Sequence, residues 1–357
     1  MTERGAESVA LDNGEMAGPA TPTESLARSI IRNPTMMTFG ALLIIIAGFS
    51  ILAPGLFTQG SNFIQLAQNV AILTVVSVGT TFVIITAGVD LSIPSGIVLG
   101  EVFAAHALGL IDIGGGQTAV DVAADQTRPA YVLIALAGGV LGGLVVGVVN
   151  GVVVAYLKVP PLLATLGTLG AGLGLALILQ DGVNTATYAL DPVGHGMWIP
   201  GVPNLIPIAL LVVVGGYVLL HMAVFGRHTY AIGSNPEAAR RAGINVERHL
   251  LKIYIIAGVS AGFAGFLSLA YFSTTSIGGH STDNLQAITA AALGGTSLFG
   301  GIGSIVGTLI GVWIPAVLKN GFVIIGVQPY WQDVAVGLVL IAAVWFDQLR
   351  RRSQDRG

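Results

Sequence analysis

Long apolar runs set the pattern of this chain, and neither strict alternation nor a narrow amphipathic stripe competes with them. Runs close to the roughly 20 residues that a helix needs to cross a hydrocarbon core cover Met36 to Ala53, Leu66 to Ala87, Ser95 to Ile111, Ala130 to Leu157 and Pro161 to Gln180. Others follow at Asn204 to Val224, Ile253 to Phe272, Leu285 to Leu298, Ser304 to Leu318 and Trp331 to Phe346. The pattern predicts an all-α, polytopic membrane protein with about ten transmembrane helices. The glycine-rich eighth run is the weakest. Residues 1–33 are polar and read as a disordered tail, residues 34–348 as the membrane domain, and 349–357 as a short basic tail. No cleavage site follows the first run, so it reads as an uncleaved anchor.

Glycine adds a second rhythm. Gly139, Gly143, Gly147 and Gly151 recur every fourth residue, as do Gly303, Gly307 and Gly311. Such rows let helix backbones approach closely, either inside the bundle or along a seam with a second subunit. Two glycine-rich interruptions stand apart, Ala87 to Gly96 and Leu293 to Gly301, each followed by a similar start, Ser95-Gly96-Ile97-Val98 and Gly303-Ser304-Ile305-Val306. Paired breaks of this kind mark internally repeated transporters near the solute path, although so short a likeness also arises by chance. They make Gly88, Asp90, Ser92, Gly294, Gly295, Thr296 and Ser297 candidates for a translocation pathway or gate. For Asp90 and Ser92 a second reading stands, that one of them caps the following helix at the membrane interface. Asn69, Asn150, Thr165, Thr168 and Gln180 are uncharged polar groups within apolar runs, suited to a hydrated path or to bonds between helices.

Composition closes off other classes. With 54% hydrophobic residues, 9% charged residues and 50 glycines in 357 positions, the chain exceeds what one soluble core accommodates. Of its 15 Lys and Arg, all but Arg128 and Lys319 fall on one side if the runs alternate, which places both termini in the cytoplasm. There is no cysteine, hence no disulfide or thiolate chemistry. The histidines at 106, 195, 221, 228, 249 and 280 are too dispersed for a metal site, and His221 and His228 read as interfacial residues beside Arg227. Glu101 and His106 are five residues apart, off a common helix face, and read as interior or interfacial groups. H-E-x-x-H is absent and Gly295-Thr296-Ser297-Leu298-Phe299 fails G-x-S-x-G at its last position, so no catalytic site is expected. Nor is a nucleic-acid partner.

The segment Gly233 to Asn245 is unusually polar for this chain. Asn235 followed by Pro236 predicts an N-cap with proline at the first helical position, and Ser234 with Glu237 fits a capping box shifted by one residue. Glu237 suits the first turn, Gly243 ends the helix after about two turns, and Asn245 caps the next one. A helix this short needs a docking partner.

These residues carry a resemblance. Glu237-Ala238-Ala239, three residues, Gly243, nine residues and Ile253 resemble the E-A-A-x3-G-x9-I-x-L-P loop of the permease subunits of bacterial ABC importers. Tyr254-Ile255-Ile256 replaces the closing Leu-Pro, as in the monosaccharide branch that includes ribose and xylose permeases. The branch is also similar at Ala87 to Gly96, Val159 to Leu169 and Leu293 to Thr308, and the likeness extends from Met36 to Phe346. It implies a coupling loop at 225–252, with Ser234, Asn235, Pro236, Glu237, Ala238, Ala239, Arg240, Gly243 and Ile244 set against an ATPase subunit. It also implies a second permease subunit, identical or related, an external solute-binding protein, surrounding lipid, and a sugar as cargo, with pentoses, hexoses and nucleosides left open. The bacterial inner membrane is the implied location. Lys158, Lys252 and Lys319 lie outside any G-x-x-x-x-G-K-[ST], so ATP and magnesium are expected on the partner ATPase and no cofactor on this chain. The alternative is an ATP-independent secondary transporter or channel for a small neutral solute. Such carriers need intramembrane ionisable groups, and Asp90, Glu101 and His106 are nearly all the spans offer.

Overall fold

The computed structural model describes residues 34–328 and, beyond them, 330–332, 334–335, 337–338, 341–342 and 345. The expected tails at 1–33 and 349–357 and seven of the 16 residues of the tenth run lie outside the described residues. Helices dominate: α1 (Pro34–Leu52), α2 (Gly60–Ile85), α3 (Ile93–Gly109), α4 (Pro129–Ala155), α5 (Pro161–Leu179), the single turn α6 (Asp191–Gly194) and α7 (Leu205–Tyr217). They continue as α8 (Val224–Ser234), α9 (Pro236–Arg241), α10 (Val246–Phe272), α11 (Asp283–Leu293) and α12 (Ile305–Ile324). A small hairpin, β1 (Asp112–Gly114) with β2 (Gln117–Thr118), closes one loop. Seven of the described helices are long and apolar enough to cross a membrane. The protein is therefore a polytopic helical membrane protein.

The apolar runs map onto these helices with two informative differences. Leu285 to Leu298 forms only the 11 residues of α11, about 16 Å at 1.5 Å per residue, or half a bilayer. Its second half becomes irregular because Gly295, Gly300 and Gly301 all take positive φ. Asn204 to Val224 runs as α7 and then passes into a π turn over Val218–Met222 before α8 begins.

Packing is set by the glycine rows. A Cβ on Gly143 would fall 2.1 Å from the Gly258 carbonyl oxygen, and one on Gly147 would fall 2.5 Å from that of Tyr254. Reciprocally, Gly258 and Gly262 on α10 face Gly143, Gly147 and Gly139. On the other row, a Cβ on Gly307 would collide with the Gly294 carbonyl oxygen and one on Gly311 with that of Ala290, so α12 lies directly on α11. Both rows are thus consumed inside the chain, and a seam with a second subunit along them is overturned. Of the seven long apolar helices α2 and α10 are the most enclosed, while α1, α4, α5 and α7 turn apolar side chains such as Ile44, Leu133, Leu163 and Leu211 outward. An apolar exterior of this kind suits lipid.

Chain alternation sorts the charges. Lys158, Arg227, Arg240, Arg241, Arg248 and Lys252 gather with α9 at one end of the bundle, and the Pro34 end of α1 lies on that same side. Arg128, Lys319, Asp112, Asp121, Asp125, Asp181, Asp191 and Asp283 occupy the far end.

Candidate functional site

At the basic end, the polar segment builds a separately capped helix. The Asn235 side chain accepts the Ala238 N–H at 3.0 Å, and Pro236 takes the first helical position. Ser234 does not act as a cap. It is the last residue of α8, held there because Gly233 presses against the Ile85 carbonyl, so the shifted capping box does not form. Gly243 stops α9 with φ +85°, and the bonds Gly243 N to Arg240 O and Ile244 N to Ala239 O complete a Schellman turn. Asn245 then accepts from Arg248 N at 2.9 Å and starts α10. The residues named as a loop at 225–252 are therefore α8, α9 and the first turns of α10.

The docking that so short a helix requires is provided on one face. Ala239 is buried against Ile232 and Val246, with Ile244 and Leu250 packed around them. The opposite face, with Pro236, Glu237, Ala238, Arg240 and Arg241, is exposed. Arg240 donates to Glu237 and to Glu247 at 2.7 Å each, and Lys158 from the α4–α5 turn reaches the same Glu247 oxygen at 2.8 Å. The bond to Glu247 and its charge hold the Arg240 guanidinium above its usual value. Glu247 and Lys158 carried no local signal, since Lys158 lies 89 residues away.

Above this helix the two glycine-rich interruptions meet. Gly301 N donates to Ile85 O at 2.8 Å, and Gly300 is crowded by Ala87. Thr296 and Ser297 are buried there, Gly294 is wedged on Gly307, and Gly88 packs beneath the Tyr254 hydroxyl. Asp90 is 3% exposed, enclosed by the protein just before the start of α3. Its carboxylate accepts both the Ser92 N–H at 2.8 Å and the Ser92 hydroxyl at 2.6 Å, an Asx turn that leads into α3. Ser92 occupies the N-cap position without making a side-chain cap bond. Asn150 Nδ2 donates to Ser92 Oγ at 2.7 Å, and Thr168 donates to Asn150 Oδ1 at 2.6 Å. Thr165 adds bonds to Pro161 O and Val89 O. One buried chain of bonds thus joins the α2–α3 turn, α4 and α5, which gives these polar groups interhelical partners.

Asn69 lies elsewhere. It lines a cavity of about 470 Å³ at the far end, together with Gln65, Phe272, His280, Asp283, Gln286, Lys319 and Asn320. Behind His280 sits Glu101, 0% exposed. Glu101 faces His280, not His106, which bonds its own helix at Val102. The two ring nitrogens of His280 stand 2.9 Å from Glu101 and 2.7 Å from Asp283, while Ser276 N donates to the other Glu101 oxygen at 2.7 Å. Burial opposes the charged ring, but the Asp283 and Glu101 bonds outweigh it and raise His280 to about 10.

Most of the sequence is similar to known proteins. Residues 62–344 match the family described as branched-chain amino acid transport system / permease component. The chain belongs to this permease family. Among curated relatives, the ribose import permease protein RbsC of Bacillus subtilis is 38% identical over 316 residues, covering 87% of this chain and 91% of the relative. The RbsC protein of Escherichia coli K12 is 35% identical over 316 residues, 87% of this chain and 92% of the relative. The D-allose transport system permease protein AlsC of Escherichia coli K12 is 33% identical over 314 residues, 87% and 91% respectively. No solved structure matches. As a permease, the chain has a bonded chain of buried polar side chains near α9 and an open, partly polar cavity at the far end.

Proposed function

We propose that this permease is the membrane subunit of an ATP-driven sugar importer in a bacterial cytoplasmic membrane. The relatives named for ribose, D-allose, galactose and fructose, at 31–38% identity over most of the chain, support a monosaccharide as cargo, although the family's description names branched-chain amino acids. The observation that carries the mechanism is α9, a two-turn helix capped at both ends, pinned by Ala239 and presenting Pro236, Glu237, Ala238 and Arg241 outward. A helix so held transmits displacement as a unit. A partner ATPase that binds ATP with magnesium would press on this face, and α9 would pass the motion through Glu247 into α10. A second permease copy or relative and an external binding protein complete the assembly in this reading.

The test is co-purification of the chain with its candidate ATPase, as native protein and as Glu237→Lys and Gly243→Pro. The proline removes the Gly243 N–H bond and is incompatible with φ +85°. Both variants are expected to keep the bundle intact by size exclusion while losing complex recovery or coupled ATP hydrolysis. Normal complex and normal hydrolysis in both would detach function from α9. Sugar uptake by the chain alone in vesicles would overturn the importer.

A further inference from the structure

We propose that the far-end cavity is a solute chamber that holds a single neutral sugar by hydrogen bonds from α2 and α11 on its way through the protein. This inference rests on the importer reading above and names the site where its cargo pauses.

Size is the first argument. About 470 Å³ lies in the range of small-molecule sites, roughly 300–1,000 Å³. It is the lower part of that range, suited to one sugar ring and not to an oligosaccharide or a peptide segment. Position is the second. The cavity is walled by the start of α2, the α10–α11 connection and the end of α12, so it lies at the end opposite α9.

Chemistry is the third. Gln65 and Asn69 are one helical turn apart on α2, both line the cavity, and neither amide has a hydrogen-bond partner among the described residues. Each offers a donor and an acceptor, the pair that a hydroxyl requires. The other polar walls are already tied down: Asn320 exchanges two bonds with Asn62, and Gln286 donates to Thr282. Asp283 is held by His280, which leaves carboxylate lone pairs for hydroxyl donors. Phe272 gives the lining an apolar ring, a surface for the C–H face of a sugar.

Charge is the fourth. The charged groups that line the cavity are His280, Asp283 and Lys319, with Glu101 of α3 directly behind His280. Two cations stand against two carboxylates, so the chamber has no net charge with which to hold an anion or a cation. Glu101 and His280 act as positioning residues: they fix Asp283 and seat the α10–α11 connection.

The native chain contains no cysteine, so an introduced cysteine is the one thiol on this chain, and its label is read on the separated chain. Asn69→Cys and Gln65→Cys, each assembled with the partner ATPase and binding protein in vesicles, are labelled with a small charged thiosulfonate. Gln126→Cys, in an exposed turn at the same end and outside the cavity, is the control. Labelling is timed with and without D-ribose, D-allose, D-galactose or D-fructose, and uptake of each sugar is measured in parallel. At least one imported sugar is expected to slow labelling at 65 and 69 severalfold and to leave 126 unchanged. If a sugar is imported while labelling at both cavity positions is unaffected, or if 126 is slowed equally, the chamber is wrong and the importer stands. If none of the sugars is imported and none protects, the sugar-importer reading fails and takes the chamber with it.

Discussion

The Glu247 carboxylate stands 2.7 Å from the Arg240 guanidinium, tying α9 to the helix after it by a side-chain bond as well as by the chain. Lys158 approaches the same oxygen, yet all three side chains are partly exposed. Exposed pairs contribute roughly 0–1 kcal/mol each, so Glu247→Gln, which removes two, is expected to shift stability by less than about 2 kcal/mol. Its effect should fall on coupling: ATP hydrolysis stimulated by the loaded binding protein drops, while complex recovery persists. The same stimulation in native protein should weaken as salt is raised, because screening acts on exposed charges. Equal hydrolysis in variant and native protein at every salt concentration would remove Glu247 from the coupling path.

The glycine seam gives a sharper stability forecast. Gly143→Ala sets a methyl against the Gly258 carbonyl with no flexible side chain to move aside. Overpacking of this kind costs about 1–3 kcal/mol or more, read as a lower melting temperature in detergent. Gly167→Ala and Gly170→Ala on α5 meet nothing within 4 Å. They are expected to be neutral or to stabilise by up to about 1 kcal/mol through helix propensity. A destabilised assembly in either α5 variant would instead place another chain on that helix.

Asn150 is 1% exposed and bonds both Ser92 and Thr168. Asn150→Leu leaves these hydroxyls without that partner, at about 1–3 kcal/mol, and Asn150→Asp should keep only the bond accepted from Thr168, because the one Ser92 proton already goes to Asp90. Melting temperatures of the two variants test the chain of bonds directly. Equal losses would mean that Asn150 contributes only its volume.

His280 predicts a pH dependence. Burial opposes its charge, but the Asp283 and Glu101 bonds prevail and raise it from 6.5 to about 10. A group raised on folding contributes stability that is full below its unfolded value and is lost as pH climbs through the folded one. Thermal stability should therefore decline between about pH 6.5 and 10, and His280→Gln should abolish that decline while lowering stability at neutral pH. Parallel curves for the two proteins would contradict the ion-paired imidazole.

What could be read from the sequence was local or repetitive. Asn235, Gly243 and Asn245 act within four residues of themselves, so their caps were visible as spacing. The apolar runs were visible because a helix in lipid must be apolar over most of its length. Ser234 misled because the end of α8 is decided by Gly233 against Ile85, a contact across 148 positions that no window contains. Glu101 gave no hint of His280, 179 residues on, and could be read only as an interior or interfacial group. The Asp90 carboxylate was legible as costly, but its burial depended on how the two interruptions fold together. The cavity was signalled only by Asn69, because the walls beyond α2 come from segments two hundred or so residues further along.

One helix connects the two ends. From Val246 beside α9 to Phe272 in the cavity wall, α10 is unbroken for 27 residues, about 40 Å at 1.5 Å per residue. Gly258 and Gly262 press it against α4 along its middle, where close packing resists bending. That arrangement is a lever on a fulcrum. In the proposed importer, a small push at the Arg240 end would need no succession of side chains to travel through, since it would reach the mouth of the cavity as a tilt of a single rod, in the direction opposite to the push.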